Sequence, residues 1–558
     1  MKPRLPFLIA ILLLISCFPV ASAAPRSRLV LVFDNFYEAA PYVAFLNQSY
    51  RVVVTEDINL TLDRLERIGV EYTLLGPQLP NVFEGVPPGL LAYLVIYANS
   101  TQDIRYLTDR GAIKEFLSRK LDEAVAAAMN RKSNIAVVFY GDDGYDYSLL
   151  AAYISLLKGA KIIDMDLIDQ IDVLSALKNV DYVIMVTKPL YSGNSERYRE
   201  LIEILTSLDS DPYLDASLGV ITGLSIDTGY LLVLMSEILS DRFPTHLRGI
   251  TLQGDIPLAR KIEAISLLFG LDSKIVHPDI QYSNLSYAEA KNILQNASGI
   301  LYLNLHGNPY VMALKTDGYV IITGSLISEI RMNSPIVLTL SCDTLRFADM
   351  ASPNGAIAYS LLDAGAAAYI GSTKAEFSIG SEAGTSYPDL IVLMLLSGYS
   401  LGEIVRTINN FHIREFGEKG ITNFEAAYEI LLGDPTLSLE NKRQMPYEIY
   451  GSGEGVYEIK PTATVPTIFI RISAERNLRP HVESDIPAMY FKWYSDEDGL
   501  SIYISSLSSS YAGYFSSETV VRIGTKREWG MFALIPYLAI MLIIGLGLLL
   551  IARSARTK

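Results

Sequence analysis

Short apolar runs recur along most of the chain and alternate with stretches of helical spacing. Residues 28–33 (RLVLVF) and 51–55 (RVVVT) read as buried strands, 91–97 (LAYLVIY) is a third apolar run, and 114–129 is a charged stretch with helical periodicity. The region 28–130 therefore reads as a small α/β unit, with no chemistry that its residues identify. Residues 134–140 (NIAVVFY) open a second unit, with a helix over 149–157 and strands at 161–165 and 180–186. A third begins near Leu247, with a strand at 249–252, a helix over 258–268, a strand at 274–276 and a helix over 287–294. Three further apolar runs follow at 300–305, 335–340 and 366–370. Apolar runs separated by helical patterns predict parallel strands with crossover helices, so 131–246 and 247–441 read as two doubly wound α/β subdomains.

From about residue 442 the texture changes. Tyr, Ser, Ile and Gly dominate and short alternating runs appear at 467–472, 488–493 and 501–505, which predicts a β-rich stalk or Ig-like domain over 442–528. Both ends of the chain are apolar. Lys2 and Arg4 precede the apolar stretch 5–15, and Ala21, Ser22 and Ala23 form a small-residue cleavage site, so 1–23 reads as an export signal. Residues 530–552 carry no charge and are long enough to cross a hydrocarbon core of about 30 Å. Trp529 and Tyr537 offer interfacial rings, and 553–558 is a short basic tail holding Arg553, Arg556 and Lys558. The signal sets the orientation: a single-pass protein of the cell membrane with its N-terminal ectodomain outside.

The net charge of the 558 residues is −15, from 46 basic and 61 acidic side chains. A duplex-binding protein needs a basic face, and no such cluster occurs, so nucleic acid is not an expected partner. Of the two cysteines, Cys17 leaves with the signal; the exported chain keeps Cys342 alone and forms no internal disulfide. No cofactor is expected. The carboxylates of Gly141-Asp142-Asp143-Gly144 are of the kind that calcium takes, but the segment follows a strand and reads as a solvated turn.

Two strands end at reactive side chains. Residues 299–307 (GILYLNLHG) end at His306-Gly307, and 334–343 (SPIVLTLSCD) reach Ser341-Cys342-Asp343. Of the five histidines, His306 alone ends a long apolar run and precedes glycine. In open α/β sheets, ligands bind at the carboxyl ends of the strands, so two parallel neighbours would present His306 and Cys342 at one edge. A thiolate attacks carbonyls, and an adjacent imidazole generates it or protonates the leaving amine. Gly307, lacking a Cβ, lets a scissile carbonyl approach its backbone N–H; with the N–H of Cys342 this could form an oxyanion hole.

An apolar strand ending in His-Gly, followed by one ending in a small residue and Cys, resembles the caspase-like clan, and in detail its gingipain family. Three further segments carry the likeness: 341–347 (SCDTLRF), 365–373 (GAAAYIGST) and 431–439 (LLGDPTLSL), with 211–223 (DPYLDASLGVITG) resembling the family's first subdomain more loosely. The resemblance implies a cysteine peptidase with His306 as general acid/base and Cys342 as nucleophile, acting on protein or peptide substrates through a thioester. It implies an assisting acid after the first strand of the subdomain, for which Asp255 is the approximate counterpart. The family's acidic specificity loop is shortened here, Pro257 leading almost directly into a helix, so preference for basic P1 residues is not carried over. Glu376 and Phe377 lie near the family's pocket-wall position and are the local candidates for S1. Two alternatives stay open: a non-catalytic surface or adhesion protein retaining the fold, and a transpeptidase or processing enzyme using the same dyad. Zinc-peptidase and Walker-type motifs (HExxH, GxxxxGK[ST]) do not occur.

Overall fold

The computed structural model describes residues 29–46, 49–75, 79–209, 211–252, 255–277, 285–314, 320–373, 387–416, 429–439, 444–451, 455–473, 478–486, 489–508 and 510–527. The expected export signal with Cys17, the apolar run 530–552 and the basic tail lie outside the described residues. Among the described residues no helix is long and apolar enough to cross a membrane. The chain divides into two units, Met1–Arg443 and Gln444–Lys558.

The first unit opens with β1 (Leu29–Phe33), β2 (Tyr50–Val54) and β3 (Tyr72–Leu74), a parallel sheet in the order β2-β1-β3. The apolar run 91–97 is helical, lying inside Pro88–Thr101. Pro88 pre-sets the first turn, and residues 91–95 are all buried, so no polar face marks the helix in the sequence. Two buried ion pairs fasten this layer to the rest. Arg51 grips Glu237 with both Nε (2.6 Å) and Nη2 (2.9 Å), and Arg64 donates to Asp227 at 3.0 Å and to the Asp363 carbonyl.

The core is one sheet of ten strands among the described residues. Its members, in chain order, begin with β4 (Ile135–Phe139), β5 (Lys161–Asp164), β6 (Tyr182–Val186), β7 (Ser217–Ile221), β8 (His246–Thr251), β9 (Asp272–Val276) and β10 (Ser298–Asn304). A small antiparallel sheet of β11 (His306–Gly307), β12 (Val311–Ala313) and β13 (Val320–Thr323) intervenes, and β14 (Asn333–Thr339), β15 (Ala368–Ser372) and β16 (Glu429–Leu432) complete the large one. The order is β5-β4-β6-β7-β16-β15-β14-β10-β8-β9. Strands such as β14 and β15 are buried almost throughout, as strands covered on both faces must be.

The two α/β halves expected from the sequence thus share a sheet, and they run in opposite directions. Neighbouring strands are parallel except β15 and β16, which are antiparallel. The carboxyl ends of β8, β10, β14 and β15 consequently open at one edge, and those of β4 to β7 at the other.

The 431–439 motif locks this junction. β16 lies between β7 and β15, and Asp434 just beyond it is 1 % exposed, 2.8 Å from Lys158 Nζ, and bonded to Ser236 and Thr436. Gly219 allows the approach: a Cβ there would stand 2.5 Å from the Gly433 carbonyl oxygen and 2.6 Å from Pro435 Cδ. Burial pushes the Asp434 carboxyl up, but Lys158, Ser236 and Thr436 together more than offset this and hold its pKa below the usual 3.8. A depressed folded-state pKa contributes stability that is present above 3.8 and lost as pH falls through the folded value. Asp434→Ala, which strands the Lys158 ammonium, should cost about 3–5 kcal/mol in unfolding experiments near neutral pH. Asp434→Asn should flatten the acid limb of the stability profile; an unchanged limb would show that the pair does not hold the halves together.

The second unit is β-rich, with two antiparallel sheets. One orders β17 (Tyr447–Gly451), β18 (Val456–Pro461), β23 (Val521–Arg527) and β20 (Leu478–Ser484); the other orders β19 (Thr467–Ile472), β22 (Gly499–Ser506) and β21 (Met489–Asp496).

Candidate active site

β10 and β14 are parallel neighbours, with Ile300 opposite Ile336 and Leu303 opposite Thr339. The Leu340 N–H donates to the Leu303 carbonyl at 2.7 Å. One step further the strands are joined by a side chain: the Leu305 N–H donates to Ser341 Oγ at 3.2 Å, and Ser341 is fully buried. Continuing this register sets His306 opposite Cys342. Both are half-buried at the strand ends, while Leu305 and Ser341 below them are buried.

Gly307 packs directly on the cysteine segment. A Cβ at this position would lie 2.9 Å from Ser341 Cβ, 3.0 Å from the Cys342 carbonyl oxygen and 3.2 Å from Thr344 Cγ2. The missing Cβ, expected to make room for a substrate carbonyl, instead makes room for the cysteine loop. Its N–H is a separate matter. His306 pairs with Ala313 and Gly307 with Met312, and the Asn308 N–H donates to the Val311 carbonyl at 3.0 Å. Bonded and non-bonded pairs alternate along an antiparallel ladder, so the Gly307 N–H points away from β12.

Beyond Cys342 the chain turns sharply. Asp343 has φ of 57°, in the left-handed region that few residues other than Gly, Asn and Asp visit. Arg346 stands over this turn, 3.7 Å from Asp343 Oδ1 and 3.1 Å from Asp349. The Leu345 N–H donates to the Ser372 carbonyl at the end of β15. Phe347 is fully buried, edge-on to Tyr198 with ring centroids 6.0 Å apart. Burying one such side chain contributes about 1.5–3 kcal/mol, which accounts for the Phe of the 341–347 motif.

Asp255 is buried and begins the helix Ile256–Leu268, making no capping bond with its side chain. It follows β8, whose end is tied to that of β10: the Leu252 N–H donates to the Asn304 carbonyl, and Asn304 Nδ2 to Thr251 Oγ1 at 3.1 Å. Glu376 and Phe377 lie outside the described residues.

The other carboxyl edge holds Asp142 and Asp143. Asp142 is exposed as a turn residue should be, but Asp143 is buried, contrary to the solvated turn read from the sequence. It accepts from Thr187 Oγ1 (2.8 Å), the Lys188 N–H (3.0 Å) and Arg197 (2.7 Å), and Arg197 also pairs with Asp142. An arginine, distant in sequence, offsets the burial. Asp164 nearby is pushed by burial up to about 6, despite N–H donors from Asp166 and Gly141. A carboxylate group not singled out from the sequence occurs at Asp209, Asp211 and Asp215, whose oxygens lie within 4.8 Å of one another. Its D-x-D-x₃-D spacing was the available signal.

Residues 272–440 match the model of peptidase family C25. By that match the chain carries the domain of a cysteine-type peptidase. The family is the gingipain family, and its matched segment holds His306, Gly307, Cys342 and the Asp434 lock. A search of curated proteins finds no match. Among solved structures, the Arg-specific cysteine proteinase gingipain R (RgpB) is similar at 11% identity over 71% of this chain and 99% of that one, with a TM-score of 0.41. The complex of Porphyromonas gingivalis RgpB pro- and mature domains is similar at 11% identity over 90% and 100%, with a TM-score of 0.37. A structure described as a protease gives 11% identity over 90% and 98%, with a TM-score of 0.36.

Proposed function

We propose that the protein is a membrane-anchored extracellular cysteine endopeptidase in which His306 and Cys342 form the catalytic dyad. The observation that supports this most is the parallel register of β10 and β14, which brings the ends of the two strands together at one sheet edge. Cys342 Sγ attacks the scissile carbonyl carbon as His306 takes the thiol proton. The imidazolium then gives that proton to the leaving amine, and a thioester remains. Water, deprotonated by His306, attacks the thioester and releases the new carboxylate and the free thiol. The outward N–H of Gly307 and the N–H of Cys342 are the donors assigned to the oxyanion. Asp255, buried beyond the neighbouring strand β8, is assigned the assisting role of orienting the imidazole. Incubating the full chain with a mixed peptide set should generate new carboxyl termini, read by mass spectrometry; a peptide set left intact under reducing conditions would overturn the reading.

The location rests on the export signal at 1–23 and the apolar run 530–552. Protease added to intact cells should degrade the region before Trp529 and spare the tail 553–558. Protection of the large region would place the peptidase on the other side of the membrane.

A further inference from the structure

The histidine and the cysteine sit on segments that are tied together a second time, away from the strand ends. His306 and Gly307 lead into a turn closed by Asn308, whose Oδ1 accepts the N–H groups of Tyr310 (2.9 Å) and Val311 (3.1 Å). From this turn the Tyr310 hydroxyl reaches Ser352, accepting its N–H at 3.0 Å and donating to its carbonyl at 3.0 Å. The Pro309 carbonyl accepts the N–H of Ile357 at 2.8 Å. Ile357 opens the helix Ile357–Asp363, whose first N–H groups have no partner within the helix. Ser352 and Ile357 belong to the far end of the same loop that begins with Cys342.

Elsewhere that loop is held by buried apolar side chains, Leu345, Phe347 and Met350, more than by regular structure. Between β14 and the helix at Ile357 its one regular element is the single turn Phe347–Asp349. Among the described residues, further backbone ties join Leu345 to Ser372 and Ser192 to Met350. The hairpin bearing His306 is equally slight, since β11 has two residues and β12 three. Loops and short hairpins of this kind hold a geometry only where something braces them.

We infer that Tyr310 is a positioning residue for the dyad: its hydroxyl straps the His306 hairpin to the Cys342 loop and keeps imidazole and thiol in register. The inference rests on the dyad reading above. Tyr310 is not assigned contact with the reacting atoms; it acts through the two segments it joins. A misplacement of about 1 Å between reacting groups costs on the order of 10²-fold in rate, so even partial release is measurable.

The test compares Tyr310→Phe with Tyr145→Phe in the full chain. Tyr145 also bonds a backbone carbonyl through its hydroxyl, that of Val86, which lies in neither of the segments that carry the dyad. Tyr310→Phe should lower kcat by about tenfold or more with KM within about twofold, as expected when orientation and not substrate binding is lost. Tyr145→Phe should leave both unchanged. Hydrogen exchange reads the strap without turnover: Tyr310→Phe should speed exchange in peptides covering 305–312 and 350–358 and leave 135–160 as in the wild type. Unchanged exchange over 305–312 overturns the inference, whether or not the chain cleaves peptides. Full activity in Tyr310→Phe while Cys342→Ala is inactive overturns the strap alone. Turnover that survives in Cys342→Ala overturns the dyad itself.

Discussion

Cys342→Ala should abolish peptide cleavage and leave the fold in place. The thiolate is the electron pair that forms the bond to the scissile carbon, and an alanine methyl offers nothing in its stead. Loss of a nucleophile in a comparable hydrolase costs about 10⁶ in kcat, so residual turnover should fall below ordinary detection. The fold has little reason to respond. Cys342 is half-buried at a strand end, the ladder bonds from Leu340 and Leu305 lie before it, and Phe347 anchors the loop beyond it. Thermal unfolding of the variant should therefore track the wild type. Activity without Cys342 would remove the nucleophile from the account, whereas lost activity with a collapsed unfolding midpoint would leave the thiol's role unproven.

His306→Ala should lower kcat by about 10²–10⁴-fold, the range that a positioned acid–base group contributes. The same imidazole is assigned three proton transfers, so both acylation and deacylation should slow. A loss confined to KM would assign His306 to substrate binding.

The strands that carry these residues were legible because they are covered on both faces. β10 and β14 had to be written as unbroken apolar runs, and a polar residue at the end of such a run stands out. The same pattern does not separate strand from helix at 91–97, where a helix packed on several sides gives an equally unbroken run. The reversal of the sheet was not legible, because it depends on one four-residue strand, Glu429–Leu432, inserted between strands from distant parts of the chain. The 431–439 motif was visible as a pattern, but its physical role, an ion pair between Asp434 and Lys158, joins positions with nothing between them in sequence to suggest it. Asp143 failed as a solvated turn for the same reason, since Arg197 supplies the charge that permits its burial. Gly307 was singled out for its missing Cβ, and the missing Cβ does matter. It matters to Ser341, Cys342 and Thr344, and the side chain of Tyr310, bridging to Ser352, left no trace in the pattern at all.

The most direct measurement is to treat the full chain with peptide probes bearing a thiol-reactive group, varied at P1, and to locate the adduct by mass spectrometry. The account predicts one adduct, on Cys342, formed faster with the peptide than with the reactive group alone and sharply slowed in His306→Ala. An adduct-free Cys342 in a chain that still cleaves peptides, or labelling that ignores both the peptide and His306, would contradict it.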